Sequence, residues 1–359
     1  MRAAGILVVQ VSDCSCAVGS LSDAGSPFGS RNLALLELLG DSVLSRMISR
    51  LHCYGIQPVT VVSNSDLAHA SQFVWDAASA DLKYSSGDPW PSIEHLLFEY
   101  AKQGVKALVL IQLGAYAEVD YSDVLRFHRA NGKLVTSVGD AEGALQITVL
   151  DLTQPAECLE LLCNSWSGSF WNRNRPSVGR YMFEGYVNRL DNYYDLRRLV
   201  QDALGRHCEL RPVGREVTPG VWFGPGARVD SRARVFAPAY IGEHSKIRAA
   251  AQVTHASSVE HHCEVDCGTV IDDANVLPFS YLGPGLKVAH ALVDGSRLLH
   301  LAHNMESQIR DHRFLDRLRS PNPMQRLKDR VVARVARMFE PSEKSSAQLH
   351  DLAGVISKF

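Results

Sequence analysis

The chain has 359 residues, 46% of them hydrophobic and 21% charged, with a formal net charge of −2. That length allows two or three domains, and a charge so near zero argues against a general nucleic-acid binder. No apolar run reaches membrane-spanning length, and eight Cys (14, 16, 53, 158, 163, 208, 263, 267) without a CxxC pair fit reduced thiols, a cytoplasmic location and no metal site.

The N-terminal run Gly5 to Val11 reads as a buried strand rather than a signal peptide. A small polar loop follows, DCSCAVGSLSDAGS, in which Cys14 and Cys16 read as two loop thiols, since Cys so close together rarely meet disulfide geometry. LALLELLGDSVLSRMISRLHCYGI reads as one amphipathic helix, with Leu35, Leu38, Leu39, Val43, Met47 and Leu51 at three- and four-residue steps. PVTVVSN is a β-branched strand, SIEHLLFEYAKQG a second helix closed by Gly104, and ALVLIQL a strand apolar on both faces. YSDVLRFHRANG is a third helix ending at Gly132, and KLVTSV a fourth strand. This alternation predicts a mainly parallel sheet flanked by helices. Beyond it, LQITVLDL reads as a strand and DNYYDLRRLVQDAL as a helix. SWSGSFWNRNRPSVG between them reads as a surface loop, whose Trp166, Phe170 and Trp171 either stack on a ligand or pack on the domain.

From Phe223 the period changes. Aliphatic or aromatic residues recur at every sixth position: Phe223, Val229, Val235, Ile241, Ile247, Val253, Val259, Val265, Ile271 and Leu277. A mostly small residue lies two positions before each, from Val221 to Asn275. Period six is neither helical nor simple strand; it is that of a parallel β-helix with one short strand per hexad. The tail carries an amphipathic stretch, Met324 to Phe339, flanked by Arg326, Arg330, Arg334 and Arg337. It reads as a helix docking on the protein's own surface, with an anionic membrane surface as the alternative. The expected division is 1–215, α/β; 216–300, β-helix; 301–359, polar tail.

This order of elements resembles the sugar-1-phosphate nucleotidyltransferases with a C-terminal left-handed β-helix, such as mannose-1-phosphate guanylyltransferases. The best local matches are ALLELLGDSVLSRMISRLHCYGIQPVTVVSN, DYSDVLRFHRANGKLVTSV, EGYVNRLDNYYDL and GPGARVDSRARVFAPAYIGEHSKI through ALVDGSRLL. The resemblance implies a nucleotide-diphosphosugar transferase-like first domain and a left-handed coil. It also implies attack of a sugar-1-phosphate on an NTP, supported by a Gly-rich loop with an Arg, a Lys between prolines, and two Asp holding Mg²⁺.

The sequence departs at each of these. The first loop has Gly19, Gly25 and Gly29 but no G-x-G-T-R, and Asn32-Leu33-Ala34 replaces the Lys element. Gly114 or Ala115 stands at the first acidic position, with Glu118 and Asp120 a few residues on. Arg189 stands at the second, followed by Asp191. The expected protein is therefore a catalytically degenerate relative that needs no cofactor. It binds a nucleotide sugar or sugar phosphate through Gly19, Ser20, Arg31, Arg189 and Asp191, or regulates a second copy or paralogue through the β-helix. One alternative is an active Mg²⁺ enzyme with displaced residues. Another is a hexapeptide-repeat acyltransferase using His255, His261 or His262 as general base, with His244 and His262, 18 apart, stacked on successive coils.

Overall fold

The computed structural model describes residues 2–9, 35–64, 80–85, 88–163 and 178–318. All of them belong to one compact unit, Met1–Leu318; the Met324–Phe339 stretch lies outside the described residues.

The first strand, β1 (Ala3–Val9), is buried along its whole length. The long helix expected after it starts later. Glu37–Leu38 (β2) and Asp41–Ser42 (β3) form an antiparallel hairpin, and α1 runs only over Val43–Cys53. The physical reason lies in the two residues between the strands. Leu39 and Gly40 have φ of 55° and 87°, the pair of positive values a tight hairpin turn requires and a helix forbids. Ser42 then caps α1, its Oγ accepting the Ser45 N–H at 3.1 Å. The apolar face of α1 is Val43, Leu44, Met47, Ile48 and Leu51.

The expected elements follow as β4 (Val59–Ser63), α2 (Trp90–Lys102), β6 (Ala107–Gln112), α3 (Tyr121–Asn131), β8 (Val135–Asp140) and β9 (Gly143–Asp151), with two strands the sequence did not suggest, β5 (Asp81–Tyr84) and β7 (Tyr116–Ala117), between them. After these come α4 (Pro155–Cys163), β10 (Val178–Met182), β11 (Val187–Asn188) and α5 (Tyr193–Leu204). The sheet order is β10-β8-β9-β6-β1-β4-β5, and only β9 runs antiparallel to its neighbours. Alternate β1 side chains feed two cores. Leu7 and Val9 join the core that α1, α3 and α5 cover, and Ile6 and Val8 join the core under α2 and α4.

From Val221 the chain makes many short strands in three sheets, visited in rotation. Val221–Phe223, Ala239–Ile241, Ser257–Val259, Asn275–Val276 and Ala291–Asp294 line one sheet, each parallel to the last. The pairing is first 18 residues apart, Phe223↔Ile241↔Val259, as three hexads require. The arrangement is compatible with a β-helix. The tenth hexad position needs correction: Val259 pairs with Val276, not Leu277, and later strands stay 17 apart (Ile271↔Val288, Val276↔Val293). One residue is missing from the corner after Ile271. Val276 therefore packs among the inward aliphatics, while Leu277 joins the α/β core outside. Antiparallel strands Arg297–His300, Met305–Gln308 and Leu315–Arg317 cover the last edges of two of these sheets.

Candidate functional site

Strands β1, β4 and β6 are parallel, so Val9, Ser63 and Gln112 end at one edge of the sheet. Crevices beyond the carboxyl ends of parallel strands are where α/β sheets bind ligands. Residues 10–34, which follow β1 in the chain, lie outside the described residues, and with them Cys14, Cys16, Gly19, Ser20, Arg31 and Asn32-Leu33-Ala34. The same holds for Trp166, Phe170 and Trp171.

The segment after β6 is described in full. Gly114 is exposed, and β7 pairs antiparallel with β11 as Tyr116↔Asn188 and Ala117↔Val187. One further step of that register sets Ala115 opposite Arg189. The two segments to which the resemblance assigns metal-holding Asp are thus neighbours, and they bring together Gly114-Ala115 and Arg189.

Arg189 is held from three directions. Its Nη2 lies 2.5 Å from Asp140 Oδ1, its Nε donates to Glu142 Oε2 at 3.1 Å, and its Nη1 donates to the Ala144 carbonyl at 3.3 Å. Asp140 also closes the turn between β8 and β9, accepting the N–H groups of Glu142 and Gly143, both at 2.9 Å. The guanidinium thus sits between two carboxylates and keeps about a quarter of its side-chain surface (26%) open to solvent. Asp191 is not brought into this group. It is exposed before α5, and its N–H donates to Asp195 Oδ2 at 3.1 Å.

The nearby carboxylates are engaged in the scaffold. Asp120 caps α3, its Oδ1 accepting from Ser122 and Asp123 N–H at 2.9 and 3.1 Å. Glu118 Oε1 accepts the Tyr116 hydroxyl at 3.0 Å and the Glu209 N–H. Burial and the Glu118 carboxylate push the Tyr116 phenol far above its usual range, so it stays a donor. Tyr181 donates to Asp123 at 2.6 Å and Tyr186 to Asp202 at 2.7 Å. Burial and the Asp123 contact push Tyr181 up to about 12. Among the described residues, no group of three or more His, Cys, Asp or Glu is placed to hold a metal ion.

The histidines fall at two different corners of the coil strands. His255 follows Gln252–Thr254, and its Nδ1 contacts Asp272 Oδ1, leaving the ring mostly exposed. His261 and His262 follow Ser257–Val259. His244 and His262 do lie in one column, with ring centroids 5.2 Å apart, but the rings are tilted at 55° rather than stacked; His262 stacks on Phe279 at 5.3 Å. All three ring-bearing residues of that column have positive φ.

Three residues the sequence reading passed over tie the α/β layers to the coil strands. Arg197 on α5 is buried; its Nη2 lies 2.6 Å from Asp273 Oδ1, and its Nη1 donates to the Ala256 carbonyl at 2.8 Å and to Asn275. Glu260 accepts the N–H groups of Leu39 and Gly40 at 2.8 and 3.0 Å. Glu37 Oε2 lies 2.6 Å from His261 Nε2. A signal for Glu260 was present: Gly242 and Gly224 occupy the same corner position one and two coils earlier, so a Glu breaks a glycine column.

No protein-family model matches the chain. Among curated proteins, a UTP–glucose-1-phosphate uridylyltransferase of Synechocystis sp. is 30% identical over 111 residues, which is 30% of this chain and 28% of that protein. The match thus spans under a third of either chain and indicates a nucleotidyltransferase-like relationship. No helix among the described residues is long and apolar enough to cross a membrane.

Proposed function

We propose that the protein binds a nucleotide sugar or sugar phosphate at the carboxyl edge of the β1–β4–β6 sheet without catalysing nucleotidyl transfer. The observation that carries this reading is Arg189 clamped by Asp140 and Glu142 beside Gly114-Ala115. A divalent cation needs carboxylate oxygens facing it. Here the position holds a fixed positive charge, and the two carboxylates nearest to it already neutralise that charge. The residues present do not fit Mg²⁺. What they leave for a ligand is hydrogen bonding rather than net positive charge: Arg189 keeps about a quarter of its side-chain surface (26%) open while Asp140, Glu142 and the Ala144 carbonyl fix its guanidinium. The uridylyltransferase relative supports a uridine nucleotide sugar as the first ligand to try.

The short parallel strands beyond Val221 we assign to a closed left-handed β-helix, the surface through which a second copy or a paralogue would be contacted. The 18- and 17-residue registers support the coil; its hand rests on the family resemblance.

Calorimetric titration of the full chain with UDP-glucose, with and without EDTA, tests the binding claim. Saturable binding that EDTA leaves unchanged is expected. Binding that disappears with EDTA contradicts the metal-free reading.

A further inference from the structure

The charge and the open hydrogen-bonding groups around Arg189 determine which part of a ligand that corner can take. Two carboxylates, Asp140 and Glu142, face one guanidinium, so the group carries one net negative charge. Its oxygens are unequally engaged. Asp140 Oδ1 takes the Arg189 contact and also the N–H groups of Glu142 and Gly143. Glu142 gives Oε2 to Arg189 and is otherwise open, with 79% of its side chain exposed.

A guanidinium carries five N–H donors. Three of those on Arg189 go to Glu142, the Ala144 carbonyl and Asp140, which leaves one on Nη1 and one on Nη2. Open acceptor and open donor thus lie side by side, on a β8–β9 turn that Asp140 closes. An alcohol both donates and accepts. Neighbouring hydroxyls of a sugar ring can therefore donate to Glu142 and accept from the guanidinium. A phosphate oxygen only accepts, and here it meets net negative charge.

We propose that the Arg189–Asp140–Glu142 group takes the sugar of the ligand, leaves the phosphates elsewhere along the sheet edge, and so selects neutral sugars over uronic acids. This rests on the binding reading above and deepens it, because it fixes which end of the ligand meets the β8–β9 turn and β11. A clamp that only tied β11 to that turn would set no preference between two sugars. One further carboxylate at hydrogen-bonding range in a solvent-open site corresponds to roughly five- to tenfold in affinity, and salt screens it.

Calorimetric titration of the full chain with UDP-glucose, UDP-glucuronate and UDP is the test. At low salt UDP-glucuronate is expected to bind about five- to tenfold more weakly than UDP-glucose. UDP, which lacks the sugar hydroxyls, is expected to bind about tenfold more weakly than UDP-glucose. Glu142→Gln removes the net charge and keeps an acceptor, so the ratio between the two nucleotide sugars should fall toward one. The same ratio should fall for the native chain in about 0.5 M NaCl. A preference set by sugar shape alone would survive both changes. Equal or tighter binding of UDP-glucuronate by the native chain, or a ratio that neither Glu142→Gln nor salt moves, overturns the proposal. Should Glu142→Gln not fold, the salt dependence of the native ratio decides alone. UDP bound as tightly as UDP-glucose overturns this inference and leaves the binding reading standing. No binding of any of the three removes the binding reading, and this inference with it.

Discussion

A single guanidinium decides how the sheet edge is read. Arg189 neutralises Asp140 and Glu142, and removing it would leave two carboxylates facing each other. Arg189→Asp would add a third. That variant is expected to melt lower than the native chain through like-charge repulsion, and to be restored by millimolar Mg²⁺, which leaves the native melting point unchanged. Thermal unfolding with and without the ion measures both. Arg189→Ala is expected to weaken UDP-glucose binding on the order of tenfold, read by calorimetry, because it removes the charged donors. The identity of Arg189 was legible in the sequence; its tether was not, since Asp140 and Glu142 lie almost 50 residues away and only the β8–β9 turn brings them near. Glu118 and Asp120 were legible as acidic residues but not as scaffold, because capping α3 and accepting from Tyr116 and Glu209 are matters of geometry.

At the scale of elements, strong periodicity was read well and short breaks in it were not. The alternation of strands and helices, the apolar β6 and the helix ended by Gly132 all follow from local pattern. The β2–β3 hairpin was hidden because Leu35, Leu38 and Leu39 mimic a helical stripe continuing into Val43 and Met47. Gly40 is the residue that decides between the two. Gly40→Ala, strained at φ 87° and colliding with Tyr240, is expected to cost about 2–4 kcal/mol in urea unfolding. The coil strands repeat the lesson. Hexad spacing fixed nine inward positions, but one missing residue near Asp273 moved the next from Leu277 to Val276. A pattern count tolerates such a slip, whereas a ladder register does not.

At the scale of the whole molecule, the order of layers was legible from composition and period, while the joint between them was not. The joint rests on few residues. Arg197 reaches from α5 into the corner beside Asp273, and Gln201 and His290 complete the Asp273 carboxylate at 2.7 and 2.6 Å. Arg197→Ala leaves that arrangement without its buried cation and is expected to cost about 3–5 kcal/mol, measured by chemical denaturation. No spacing rule links residue 197 to residue 273, so only the folded chain reveals the pair. Absence of nucleotidyl transfer is tested most directly by pyrophosphate release from the full chain given UTP, glucose-1-phosphate and Mg²⁺. Release no faster than in a protein-free control is the predicted result; sustained turnover that EDTA abolishes would contradict it.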